Sequence, residues 1–376
     1  MKELEYPKVM NDIELISTKS LLKKKPVFLI GSRKRDRVMC LSNEDAANEL
    51  MHVFKFMNGD YSIKEIEYIF VKRGLKCDVP RLVSKINEFG LLENHTPSEN
   101  NELNLISKKI FFIPFKTNIN EVSQFVKFST KFYLPCMIIL MIIAVVLGIK
   151  NNIVSSLLNI NFKIQNFMQM SLLFYFSIAL HELGHIIVAR AFKIKIEGIN
   201  ISLKWGILPI IYIKYQEINF LSPSIKARLL LGGIGMNLFI VWTSIIFFVL
   251  TNIQIFLFCT YVNMQMIIKS LYPQTLSDGY YLMILIFNKS SIRLEALKWI
   301  FSREKTKLTF PAFVYVVLYI LITILSLILS YAIMGNTIKS ICLKYNIEFT
   351  YVAVLLLLVY ALIIIRSIQH AKKRIS

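Results

Sequence analysis

Hydrophobic and polar positions divide this chain near residue 132. Before it, apolar residues come in short runs broken by charge, as in a soluble domain; after it, long apolar runs alternate with short basic segments. A helix needs about 20 predominantly apolar residues to cross the hydrocarbon core. Six stretches are candidates: residues 132–149, 167–192, 229–250, 253–272, 310–334 and 350–365. The fourth leads into a broken stretch from Pro273 to Gly279 and a short apolar run, 280–287. The expected fold is mainly α, a polytopic membrane helical bundle of about six transmembrane helices.

The polar first part has its own rhythm. Residues 27–30 and 38–41 are strand-like runs flanking a basic turn, 32–37. Ser42-Asn43-Glu44-Asp45 starts a helix in N-cap style, and Ser62 with Glu65 forms a capping box for a second. Residues 79–89 make a third helix ended by Gly90. Two strands and three helices fit a small α/β winged-helix-like N-terminal domain. The expected organisation is a head over 1–93, a linker with a short membrane-approach segment over 94–131, and a transmembrane domain over 132–376.

Composition agrees with this division. The 376 residues are 55% hydrophobic, against about 45–50% apolar for soluble domains. The net charge of +20 is unevenly placed: residues 1–131 carry a basic surplus of five, residues 132–376 a surplus of fifteen. Basic residues flanking spans are the mark of positive-inside topology rather than of a nucleic-acid surface. With the head inside, the 193–228 loop carries six basic residues on that side (Lys193, Lys195, Lys204, Lys214, Lys226, Arg228), and the 288–308 loop another six. The opposite side receives Lys150, Lys163, Lys339 and Lys344. The expected location is the cell membrane, multi-pass, with both termini cytoplasmic. The N-terminus shows no apolar h-region of a cleaved signal peptide. The five cysteines are scattered and form no C-x-x-C pair, so neither a disulfide framework nor a cysteine metal site is expected.

The second stretch carries the chemistry. His181-Glu182-Leu183-Gly184-His185 reads H-E-x-x-H within an apolar helix. Residues four apart share one helical face, so both imidazoles can reach one Zn2+ ion, with Glu182 beside them to take a proton from activated water. Ionisable side chains in a span are costly and by default mark function. Two histidines need a third ligand. His52, His95 and His370 lie in the head and tail, and between residues 229 and 287 the one acidic residue is Asp278. It follows Pro273 in a broken stretch of the kind tolerated at membrane depth where it lines a cavity. Asp278 is therefore the expected third ligand, the alternative being a loop acid near the cytoplasmic face.

The residues now resemble a known group. H-E-L-G-H on one span, G-I-G-M-N on a following one and P-x-x-x-x-D-G later are similar to the site-2-protease family of membrane zinc metallopeptidases. The ending Asp278–Leu282 resembles its branch of peptide zinc metalloproteases. The resemblance implies zinc bound by His181, His185 and Asp278, with Glu182 as general base and Asn237 lining the site. Helix packing through Gly232, Gly233 and Gly235 is the other reading of Asn237. The family often has Asn eight residues before the Asp. Here that position is Ser270, a candidate substrate-positioning hydroxyl; Asn263 is a possible substitute that spacing does not support.

Residues 15–93 resemble a PqqD-like peptide-binding domain in the order of their segments L-S-N-E-D-A-A-N-E-L, N-G-D-Y-S-I-K-E-I and F-G-L-L. That implies a peptide adding as a strand along the sheet edge, at 27–30 or 38–41. Arg33, Lys34, Arg35 and Arg37 form a solvated turn or meet an acidic leader. The expected activity is cleavage of a small, ribosomally made, modified bacteriocin-like precursor peptide. The expected partners are that peptide and the lipid bilayer, with a peptide-modifying enzyme and an exporter of the same pathway, and no nucleic acid. Regulated proteolysis of a transmembrane regulator is the second reading. An immunity or transport protein with a structural zinc site is the third.

Overall fold

The computed structural model describes residues 5–19, 21, 26–41, 43–72, 78–93, 107–114, 124–158, 164–204, 208–273, 277–289, 291–301 and 308–345. The chain forms two compact units, one from Met1–Glu121 with Phe192–Arg228, the other from Val122–Ala191 with Leu229–Ser376.

In the first unit, β1 (Ile13–Lys19), β2 (Pro26–Ser32) and β3 (Arg37–Leu41) make an antiparallel sheet in the order β1-β2-β3. The helices α1 (Glu44–Phe54), α2 (Ile63–Lys72) and α3 (Val79–Glu88) follow. Their starts are fixed locally: Asn43 accepts from the Asp45 amide, Asp78 from the Arg81 amide, and Ser62 and Glu65 close a reciprocal capping box. Gly90 ends the run at φ +68°, and Asp36 turns the β2–β3 hairpin at φ +49°. Ile30, Met57, Ile66, Phe70 and Val83 fill the core, each almost fully buried, and burial of such a side chain stabilises by about 1.5–3 kcal/mol.

Two expectations about the head change. Residues 27–30 lie in β2, the central strand, whose two edges are taken by β1 and β3. The additional strand β1 comes from an alternating segment, I-E-L-I-S-T-K, that was not among the expected strands. Among the described residues the free edges therefore belong to β1 and β3. The basic turn is also not simply solvated. Arg33 pairs with Glu14 at 2.7 Å and Glu217 at 2.6 Å. Arg35 donates to the carbonyls of Gly90, Leu92 and Glu93, tying the end of the head to its hairpin. Guanidinium forks prefer such fixed acceptors to bulk water when several converge.

A second antiparallel sheet completes this unit: β4 (Ser107–Pro114), β5 (Ile196–Lys204) and β6 (Leu208–Tyr215), with β5 central. The segment read as linker thus supplies a strand, and the basic 193–228 loop folds as a hairpin. A 3-10 turn follows (Ile218–Phe220). Asp36 accepts from the Asn219 backbone amide at 3.0 Å and side-chain amide at 2.7 Å, which joins the head hairpin to this turn.

The second unit is helical: α4 (Gln124–Lys150), α5 (Ile153–Leu158), α6 (Ile164–Ala191), most of α7 (Pro223–Thr251), α8 (Gln254–Leu271), α9 (Asp278–Phe287), α10 (Ile292–Phe301) and α11 (Phe310–Tyr345). Among the described residues two helices are long and apolar enough to span a bilayer, Met168–Ala191 and Pro223–Thr251. Pro135–Lys150 and Phe310–Ser326 are shorter apolar helices, and Asp278–Phe287 has only 10 residues, about 15 Å of rise. The expected sixth stretch, 350–365, lies outside the described residues. Ile138, Ile142 and Val146 on α4 are exposed at four-residue spacing, a face suited to lipid. The helices α6 and α7 cross closely. A Cβ on Gly232 would lie 2.8 Å from the Gly184 carbonyl oxygen, so small residues set the approach.

Candidate metal centre

His181 and His185 sit one turn apart on α6, 6% and 7% exposed. Their Nε2 atoms are 3.2 Å apart, with the rings edge to face. The Asp278 carboxylate reaches the same point from the first residue of α9: Oδ2 is 3.2 Å from His181 Nε2 and 3.5 Å from His185 Nε2. Glu182 is half-buried, its carboxylate oxygen within 4.8 Å of imidazole nitrogens. Two carboxylates, Asp278 and Glu182, thus lie within reach of both rings.

The local chain explains how Asp278 arrives there. Ser277 caps α9: its Oγ accepts from the Tyr280 amide at 3.1 Å and donates to the Tyr272 carbonyl at 2.5 Å, stapling the start of α9 to the end of α8. Gly279 makes that approach possible, because a Cβ there would lie 2.7 Å from the Leu271 carbonyl carbon. The Asp-Gly pair is therefore a geometric unit, in which the glycine admits the neighbouring helix and the aspartate points into the cluster.

Helix α7 supplies the opposite wall. The Leu229 carbonyl is 2.7 Å from His185 Nδ1. A carbonyl only accepts, so Nδ1 carries the proton and Nε2 offers its lone pair to the cluster. Four residues on, Gly233 faces the rings: a Cβ there would lie 2.5 Å from His181 Nε2 and 2.6 Å from His185 Nε2. Any larger residue would fill the space in front of both nitrogens. Four residues further, the Asn237 side chain, fully buried, has its Nδ2 3.0 Å from His181 Nδ1.

These residues fit a zinc ion. Tetrahedral zinc with bonds of about 2.0–2.1 Å needs donors about 3.3–3.4 Å apart, and the three donor separations here are 3.2, 3.2 and 3.5 Å. The donor set of two neutral imidazoles and one carboxylate suits that metal.

The model of peptidase family M50 matches residues 169–365, which contain all of these side chains. The chain belongs to peptidase family M50. This is the site-2 protease family, so the protein is a membrane-associated zinc metallopeptidase. No curated protein and no solved structure matched the chain. The head lies outside the region matched to M50.

Ser270, the expected substrate-positioning hydroxyl, is buried on α8. A buried polar pair was not anticipated: Asn263 Nδ2 donates to Ser177 Oγ at 3.0 Å, and Ser177 lies one turn before His181. The four-residue spacing of Ser177, His181 and His185 on one helix was the available signal.

Proposed function

We propose that the protein is a membrane-embedded zinc endopeptidase that cleaves a small, ribosomally made, modified precursor peptide. In this reading His181, His185 and Asp278 hold the metal and Glu182 is the general base. The observation that carries the site assignment is the triangle of donor atoms at the edge length of a zinc tetrahedron, with a free carboxylate beside it. A zinc ion held by this set supplies Lewis acidity, which polarises a peptide carbonyl and acidifies water. Glu182 accepts the proton of the attacking water as its oxygen bonds to the scissile carbonyl carbon. As the C–N bond breaks, Glu182 returns that proton to the departing amine nitrogen.

The substrate class rests on the head. Its β-β-β-α-α-α order, with strand edges on β1 and β3, supports strand addition by an extended peptide. Such a domain gives a cytoplasmic peptide a means of capture, whereas a membrane-anchored regulator would reach the site by lateral diffusion. The basic segments flanking the spans support an arrangement with the head and both termini in the cytoplasm. A modifying enzyme and an exporter would act before and after this step.

The test is incubation of purified protein with candidate precursor peptides and with single-span regulators, products being read by mass spectrometry against a Glu182→Gln blank. Cleavage of a precursor at one bond, absent from the blank, is the expected result. Cleavage confined to the regulators would replace this substrate reading with regulated intramembrane proteolysis.

A further inference from the structure

The two histidines do not stand in equivalent surroundings. The proton on His185 is fixed at Nδ1 by the Leu229 carbonyl, a group that can only accept. His181 has no such constraint. Its Nδ1 faces the amide of Asn237, whose two ends differ in hydrogen-bonding character but hardly in shape. With Nδ2 turned toward Nδ1, as in this structure, the amide donates and the ring proton belongs on Nε2, the atom that faces Asp278 and His185. That state suits the hydrogen bond from His181 Nε2–H to the Asp278 carboxylate. It does not suit a metal, which needs the Nε2 lone pair.

For Nε2 to bind metal, the proton must sit on Nδ1, and a buried Nδ1–H needs an acceptor. Among the described residues the Asn237 amide is the side-chain group recorded within hydrogen-bond distance of that atom. Its buried Oδ1 has no hydrogen-bond partner among the described residues, so rotation of the amide about its terminal torsion gives up no bond made there by the oxygen. The same 3.0 Å approach then serves Nδ1–H···Oδ1. We propose that Asn237 is a positioning residue for His181, with Oδ1 accepting from Nδ1–H whenever Nε2 holds the metal. This assigns Asn237 to the metal's surroundings rather than to substrate or to helix packing, and it rests on the ligand reading above.

The substitutions separate these roles. Aspartate is similar in shape to asparagine and only accepts, so Asn237→Asp keeps Nδ1–H···O and cannot donate. Leucine keeps the approximate volume and offers no polar atom. In full-length protein purified in detergent, zinc affinity is measured by competition with a chromogenic chelator, and folding by thermal unfolding of the metal-free form. Asn237→Leu is expected to bind zinc about 10–100-fold more weakly. Asn237→Asp is expected to bind within a few-fold of the parent or more tightly, with both metal-free proteins folded. Equal loss in Asp and Leu variants would mean that the amide acts as a donor, and would overturn the inference. Tight binding by the Leu variant would equally overturn it, leaving Asn237 a packing residue. His181→Ala, measured in parallel, separates the two levels: if it too retains zinc, the ligand assignment itself fails.

Discussion

At the residue scale, the site depends on what is missing as much as on what is present. Gly233 stands where a methyl group would touch both Nε2 atoms. Gly233→Ala is therefore expected to abolish zinc retention, measured by metal analysis of the purified protein, while the helices still assemble. Gly148→Ala is the control, because its nearest neighbour, Ile153, would lie at 3.9 Å, an ordinary contact. Glu182→Gln keeps shape and hydrogen bonding but cannot take a proton. It should retain zinc and lose about 10²–10⁴-fold in cleavage rate. Turnover close to that of the parent would remove Glu182 from the role of base.

At the element scale, short-range capping accounts for where the head's helices begin. Asn43→Ala should cost about 1 kcal/mol of head stability, visible as faster amide hydrogen exchange in α1. The Ser62–Glu65 box adds a pH dependence. Hydrogen bonds from the Ser62 amide and hydroxyl hold the Glu65 carboxyl below its ordinary value of 4.5. A depressed folded-state value means a contribution fully present above the unfolded value and lost as pH falls through the folded one. Exchange protection of α2 should therefore decline on acidification below about pH 4.5, and Glu65→Ala, which removes the titrating carboxyl, should abolish that decline. The caps were legible in the sequence because each involves residues three or fewer apart. The strand β1 and the sheet β4-β5-β6 were not, although I-E-G-I-N-I-S-L-K alternates clearly. Alternation marks a strand but does not name its partner, and the partner β4 is about 90 residues away in the chain.

At the scale of the whole molecule, the head is joined to the turn after β6 by Arg33–Glu217 and by Asp36 with Asn219. If the head captures precursor, deleting residues 1–93 should slow cleavage most at low precursor concentration and leave zinc occupancy intact. Tethered capture raises effective concentration to about the millimolar range, so the deficit should shrink as precursor is added. Equal rates on dilute precursor would remove the head from substrate capture.

Sequence alone determined the apolar helical second part, the helix that carries H-E-x-x-H and the starts of the head's helices, because hydropathy, i to i+4 spacing and capping are written in neighbouring residues. It also singled out Asp278, by scarcity of acids within an apolar region. Tertiary structure decided which atoms meet. Asp278 lies 93 residues beyond His185 and reaches it because Gly279 admits the end of α8 and Ser277 staples the turn. Asn237 faces His181 because Gly184 and Gly232 let α6 and α7 approach closely enough for an amide to reach a ring. Distances between helices are set by side-chain volumes packed against each other, and no spacing along one chain segment contains that information.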